Sequence, residues 1–181
     1  SDKHCSKEVS PPNSGISSLL HAIGAIPNFT DIIYFFVKIY SFMIKNKDKK
    51  LSLGIVGGGA KSWIGHVHRI ASRFDDQYQI VAGVFSRNTK SSIKFGTSIG
   101  ISKERCYSNF KEMADKESKR NDGINVVAIM TPPASHQIIA ETFIDKNINI
   151  ISDKPFAGNI DQAKKLYKKI KSNKKIKYVL T

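Results

Sequence analysis

From residue 51 onward, apolar runs of strand length alternate with segments of helical period. Residues 51–56 read as a strand, followed by glycines and then by a helix whose apolar positions are Ile64, Val67, Ile70, Ala71 and Phe74. Residues 79–85 make a second strand, residues 90–99 a weak helix, and residues 110–119 a helix rich in paired charges. Residues 124–130 are almost continuously apolar, as a parallel strand buried on both faces must be. A helix over about 135–146, a strand over 148–152, a helix marked by Ile160, Ala163, Leu166, Tyr167 and Ile170, and a strand over 176–180 complete the series. This alternation predicts βαβ units and an α/β fold, a doubly wound parallel sheet. A dinucleotide-binding unit of that kind is expected to have six strands.

Residues 1–50 break the pattern. Ser10, Pro11, Pro12, Asn13, Ser14 and Gly15, then Pro27 and Asn28, interrupt any helical or strand period. The expectation is an irregular or poorly ordered extension over 1–50 and one domain over 51–181. Met43, just ahead of the Lys- and Asn-rich stretch 45–50, is a candidate natural start. The apolar run 31–44 contains Lys38 and falls short of the roughly 20 residues of a spanning helix, so no membrane partner is expected.

Composition narrows the class. With 181 residues, 40% of them hydrophobic and 24% charged, the chain is long enough for one folded domain and too apolar for a disordered tail. Cys5 and Cys106 are too few and too far apart for a disulfide framework or a cysteine zinc site, which makes a reducing cytoplasm the expected compartment and no metal the expectation. The net charge of +14 points to nucleic acid until it is divided: residues 1–50 and 51–161 carry +3 each, and residues 162–181 carry +8. In that last segment Lys164, Lys165, Lys168, Lys169 and Lys171 fall between the apolar positions of one helix, the pattern of a solvated face. Lys outnumbers Arg by 24 to 5, whereas readers of base edges lean on Arg forks, so no nucleic-acid partner is expected.

Chemistry enters at the glycines. Gly57 and Gly59 follow the first strand, and Gly65 lies inside the next helix, a G-x-G-x(5)-G spacing with a longer second gap than the usual two residues. Such a turn lets backbone approach a pyrophosphate at a helix N-terminus, with Lys61, Ser62, Trp63 and Ile64 in the longer loop; the same glycines would also serve as a plain turn. At the end of the second strand stand Ser86 and Arg87, where an acid would hold the 2′-hydroxyl of NAD and an arginine suits the 2′-phosphate of NADP. Arg87 tilts the expectation toward NADP over NAD, although an exposed loop arginine reads the same way. Thr131, Pro132, Pro133 and His136 follow one buried strand, and Asp153, Lys154 and Pro155 follow the next, both where open α/β sheets bind ligands. His66 and His68 are two apart on a helix and diverge, so they do not form a metal pair.

The run from Gly57 to Arg69, the Thr-Pro-Pro segment with His136, and Asp153-Lys154-Pro155, in this order and spacing, resemble the Gfo/Idh/MocA oxidoreductases, the family of glucose-fructose oxidoreductase and inositol dehydrogenase. The resemblance covers residues 50–181. It implies an NAD(P)-dependent oxidoreductase whose Rossmann domain precedes a substrate domain, which would be missing here. It implies that Gly57, Gly59 and Gly65 line the phosphates, that Ser86 and Arg87 face the adenosine ribose, and that Thr131, Pro132 and His136 lie on the nicotinamide side. Lys154 would be the catalytic lysine of the family's Glu-Lys-Pro motif, with Asp153 in place of Glu and a cis bond before Pro155. The implied substrate is a sugar or polyol, the general base a histidine of the second domain, and any homo-oligomer dependent on that domain. A non-catalytic nucleotide-binding Rossmann module is the alternative. A methyltransferase fits less well, since Ile55 and Val56 stand where such enzymes favour an acid.

Overall fold

A computed structural model describes residues 50–74 and 76–181. Met43, the apolar run 31–44 and the extension over 1–50 therefore lie outside the described residues, apart from Lys50.

The strands are β1 (Leu51–Gly57), β2 (Tyr78–Val84), β3 (Val126–Met130), β4 (Asn149–Ser152) and β5 (Tyr178–Leu180). The helices are α1 (Trp63–Phe74), α2 (Thr89–Ser98), α3 (Phe110–Glu117), α4 (His136–Ile144) and α5 (Ile160–Ser172). All strand pairs are parallel, in the order β2-β1-β3-β4-β5. The fold is the expected α/β, doubly wound Rossmann-like sheet. Every residue of the central strand β3 is buried, and its side chains alternate between two cores. Val127 and Ile129 face α3, α4 and α5 through Met113, Ile139, Phe143 and Leu166. Val126, Ala128 and Met130 share the other face with Ile64 of α1 and with Ile93 and Phe95 of α2.

Among the described residues five strands form where six were expected. At the free edge of β2 the sixth is reduced to a single parallel bridge, Gly83 to Cys106, in which Tyr107 N donates to Gly83 O (2.9 Å). Side chains complete this edge. Ser92, fully buried on α2, accepts from Phe85 N (2.9 Å) and donates to Tyr107 O (3.3 Å). Beneath it, the Arg105 guanidinium forks onto Glu117 through Nε (3.0 Å) and Nη2 (2.5 Å), and Tyr107 Oη donates to Glu117 Oε1 (2.6 Å). Burial and this carboxylate push the Tyr107 phenol pKa up. The pair is almost dry, with side-chain exposures of 9% and 0%. Such a pair is poor evidence of net stabilisation, but breaking one half leaves an uncompensated buried charge.

Helix α1 departs from its sequence expectation. Its buried positions are Gly65 and Ser72, whereas Val67, Ile70 and Phe74 are 38%, 55% and 91% exposed. The cause is a backbone contact. A Cβ at Gly65 would stand 2.4 Å from both the Cα and the O of Gly58, so the helix approaches the turn more closely than any side chain allows. The face centred on Gly65 and Ser72 then lies inward, and the apolar stripe is turned outward. Helix α5 behaves more as expected. Leu166 is buried, Ala163 and Ile170 are half-buried, and Lys164, Lys165, Lys168 and Lys171 are exposed. Its Ile160 and Tyr167, expected on the packed face, are 67% and 54% exposed.

Denaturant melts of point variants separate these contacts. Ile70→Ser or Val67→Ser shifts stability by less than about 0.5 kcal/mol, as for other exposed sites, while Ser72→Leu overpacks the inner face and costs about 1–3 kcal/mol. Gly65→Ala forces backbone apart and is expected to cost at least about 1–3 kcal/mol, since neither neighbouring atom is a flexible side chain. Arg105→Met costs about 3–5 kcal/mol by stranding Glu117, and the double variant with Glu117→Leu is milder than the single one.

Candidate functional site

Strand β1 pairs with β2 on one side and β3 on the other, and the connections leave it in opposite directions. In open α/β sheets this opens a crevice beyond the carboxyl ends of those strands. Two hollows lie there, about 550 Å³ and about 470 Å³ in volume, with Phe85 and Ser86 in the lining of both. Gly57, Ser86, Arg87, Thr131 and Pro132 line the larger, against an apolar wall of Val56, Val84, Met130 and Ile139. Gly59, Lys61 and Ser62 line the smaller. Neither is lined by a carboxylate, while Lys61 and Arg87 contribute cations, so the crevice favours an anionic occupant.

The glycine turn is built for close approach. Gly57 has φ +91°, and a Cβ there would meet Met130 O at 2.3 Å; at Gly59 it would meet Phe85 O at 2.3 Å. Gly65 does not touch the hollows; it supplies the helix-to-turn contact, which the third glycine of the fingerprint supplies through a shorter loop. Ser62 Oγ accepts from Gly65 N (3.1 Å), and Ser62 O accepts from His66 N (3.2 Å), so Ser62 caps α1 while remaining on the wall of the smaller hollow. The glycines let the turn pack directly against the backbone that ends β3 and β2, and the capped helix N-terminus that follows it suits an anion such as a dinucleotide pyrophosphate.

Other expected contacts lie outside both hollows. Trp63 is 77% exposed and Ile64 packs into the sheet core. Pro133 opens a short 3-10 turn over Pro133–Ser135. The resemblance implied that His136 lies on the nicotinamide side. His136 is 1% exposed, with Nε2 2.7 Å from Thr131 O and Nδ1 2.8 Å from Pro155 O. Both ring nitrogens are occupied by backbone, so the imidazole straps the loop after β3 to the loop after β4 and leaves no nitrogen for a ligand. Gly158 supports the same junction, since a Cβ there would stand 2.9 Å from Ala134 Cα.

The strap brings Asp153, Lys154 and Pro155 beside the rim that Thr131 occupies. The Lys154–Pro155 bond is cis, as the resemblance implied. Lys154 is exposed, and its backbone N–H donates to Asp153 Oδ1 (2.9 Å). His68 of α1 is half-buried, and burial lowers its pKa against the opposing pull of Asp153. His66 is exposed.

Sequence reading missed the segment between the sixth-strand bridge and α3. Ser108, Asn109 and Phe110 line the larger hollow beside Arg87. A signal existed: Asn109 Oδ1 accepts from Glu112 N (2.9 Å), and Glu112 Oε2 accepts from Ser108 Oγ (2.6 Å), the pattern of a capped helix start. The Lys116 and Ser108 donors hold the Glu112 carboxyl pKa down at about 2.

Comparison with known proteins agrees with this geometry. The profile of the Gfo/Idh/MocA oxidoreductase family, NAD-binding Rossmann fold, matches residues 51–181. An uncharacterized oxidoreductase of Bacillus subtilis, YfiI, is 39% identical over 108 residues, covering 59% of this chain and 28% of the relative. The crystal structure of an oxidoreductase from Sinorhizobium meliloti superposes with a TM-score of 0.71 at 43% identity, over 74% of this chain and 37% of that one. An inositol dehydrogenase homolog from Azotobacter vinelandii, complexed with NADH and myo-inositol, superposes at 0.69 with 27% identity, over 72% and 35% of the two chains. The chain thus spans about a third of the length of these relatives. Among the described residues no helix is long and apolar enough to cross a membrane. A match over residues 51–181, on a sheet whose glycine turn has this form, makes the chain a member of the Gfo/Idh/MocA oxidoreductase family, in its NAD-binding Rossmann fold.

Proposed function

We propose that residues 51–181 are a dinucleotide-binding domain and that residues 1–50 are an extension to it. The domain holds NAD(P) in the crevice and serves an oxidoreductase that moves hydride between a secondary alcohol of a sugar or polyol and the nicotinamide. The observation that carries this reading is the pair of hollows that share Phe85 and Ser86. The glycine turn contributes Gly57 to the larger and Gly59 to the smaller, and the larger is also lined by Arg87, Thr131 and Pro132. The polyol class draws support from the Azotobacter homolog, whose complex contains myo-inositol.

Bound nicotinamide would supply the hydride acceptor or donor. The chain's own groups have separable tasks. Amides of the glycine turn and the N-terminus of α1 take the pyrophosphate charge. The apolar wall of Val84 and Ile139 with Ser86 and Arg87 takes the adenosine, and Arg87 takes a 2′-phosphate, favouring NADP. The exposed Lys154 ammonium, on the loop beside Thr131, stabilises negative charge on the alcohol oxygen or relays its proton. A non-catalytic dinucleotide-binding unit is the second reading. It is favoured by one fact, that Lys154 lines neither hollow.

Calorimetric titration tests the first reading. NADPH and NADH are expected to bind, with Arg87→Ala weakening NADPH by about 10- to 100-fold, the range of a lost charge-assisted bond, and leaving NADH little changed. A folded chain that binds neither cofactor refutes it. Fluorescence of bound NADH separates the two readings. Lys154→Ala changes the emission if the ammonium reaches the nicotinamide, and unchanged emission favours the non-catalytic unit.

A further inference from the structure

We propose that Arg69 is a positioning residue that sets the direction of the Gly59 amide, and through it the capacity of the glycine turn to hold a pyrophosphate. This rests on the cofactor reading above and adds a part to it that the fingerprint does not contain.

The long second gap of the glycine motif raises a mechanical question. Ser62 N donates to Gly59 O (2.9 Å) and Gly65 N to Ser62 Oγ (3.1 Å), so the turn's own bonds begin at Gly59. Gly58 lies upstream of them with φ +61°, in the left-handed region where glycine has the most freedom to rotate. From the middle of α1, Arg69 reaches back across this interval, and its Nη1 donates to Gly58 O at 2.6 Å.

Arg69 is itself held. Its guanidinium lies 5.0 Å from the centroid of the Phe95 ring on α2, and Phe95 packs edge-on against Phe85 (5.1 Å, 73°). The chain of contacts closes at Phe85 O, the atom that a Cβ on Gly59 would strike. Burial and the neighbouring Arg73 lower the Arg69 pKa, yet a guanidinium stays charged at neutral pH.

Peptide geometry turns this clamp into a directional device. Among the described residues the cis bond is Lys154–Pro155, so the peptide between Gly58 and Gly59 is trans, and its C=O and N–H point in opposite directions. With Gly58 O held toward Arg69, Gly59 N–H is held away from it, and Gly59 lines the smaller hollow. A carbonyl bonded to a cation also polarises its peptide, making the opposite N–H a stronger donor. A fixed, polarised amide is what an anionic pyrophosphate needs from this position.

The test is calorimetry with ADP-ribose, which carries the pyrophosphate without the nicotinamide, on the wild-type chain, Arg69→Met and Arg69→Lys. Amide hydrogen exchange over residues 58–62 is measured in the same ligand-free proteins. Arg69→Met, which keeps the apolar stem, is expected to bind ADP-ribose about tenfold more weakly, the scale of one charge-assisted bond, and to exchange faster in the turn alone. Arg69→Lys, which keeps a cationic donor, recovers part of both effects. ADP-ribose affinity unchanged in Arg69→Met overturns this proposal alone. Faster exchange throughout β1, β2 and β3 also overturns it, because Arg69 would then only support packing. Absence of ADP-ribose binding by the wild-type chain overturns both this proposal and the cofactor reading.

Discussion

Where α1 leaves the glycine turn, two stretches of backbone run against each other with no side chain between them. The space at Gly65 is closed by Gly58 Cα and O, each 2.4 Å from where a Cβ would stand. This contact sets the roll of α1 about its axis. It brings Gly65 and Ser72 inward, turns Val67, Ile70 and Phe74 toward solvent, and leaves Arg69 within reach of Gly58 O. A helix that packs by backbone proximity rather than by filling space with side chains makes its small residues the inner face. The hydrophobic stripe is then no guide to orientation.

A second constraint acts at the β2 edge, where a full strand is replaced by one bridge and a set of side-chain bonds. Ser92 ties the end of β2 to Tyr107, and Arg105 with Glu117 anchors the segment from below. The segment that follows carries Ser108 and Asn109 into the lining of the larger hollow, beside Ser86 and Arg87. The edge is therefore part of the candidate site, since it supplies part of the wall that Arg87 also lines. Polar groups buried this deeply are tolerated because each has a partner, and the loss of any one would leave another unsatisfied.

On the other side of the crevice, His136 shows how a motif residue can matter without touching a ligand. Its ring is held between Thr131 O and Pro155 O, so one side chain ties together the loops that follow β3 and β4. The strap binds together parts of the chain that are 24 residues apart, Thr131 and Pro155. Spacing shows that both loops follow buried strands. Only their packing shows that one imidazole joins them.

The alternation of apolar runs determined the parallel sheet and the helix order to within a few residues, because strands buried on both faces and amphipathic helices leave different periods in the chain. The turn glycines Gly57 and Gly59, the end of β2 and the two proline loops were legible for the same reason: each sits at a fixed place relative to a strand end. Tertiary structure alone decided the orientation of α1, the collapse of the sixth strand to one bridge, the wall formed by Ser108 and Asn109, and the bonds made by His136 and Arg69. Periodicity records which residues share a face of one element. It carries no record of how closely two backbones approach or which carbonyl a side chain finds across the fold, and these depend on contacts between residues far apart in sequence.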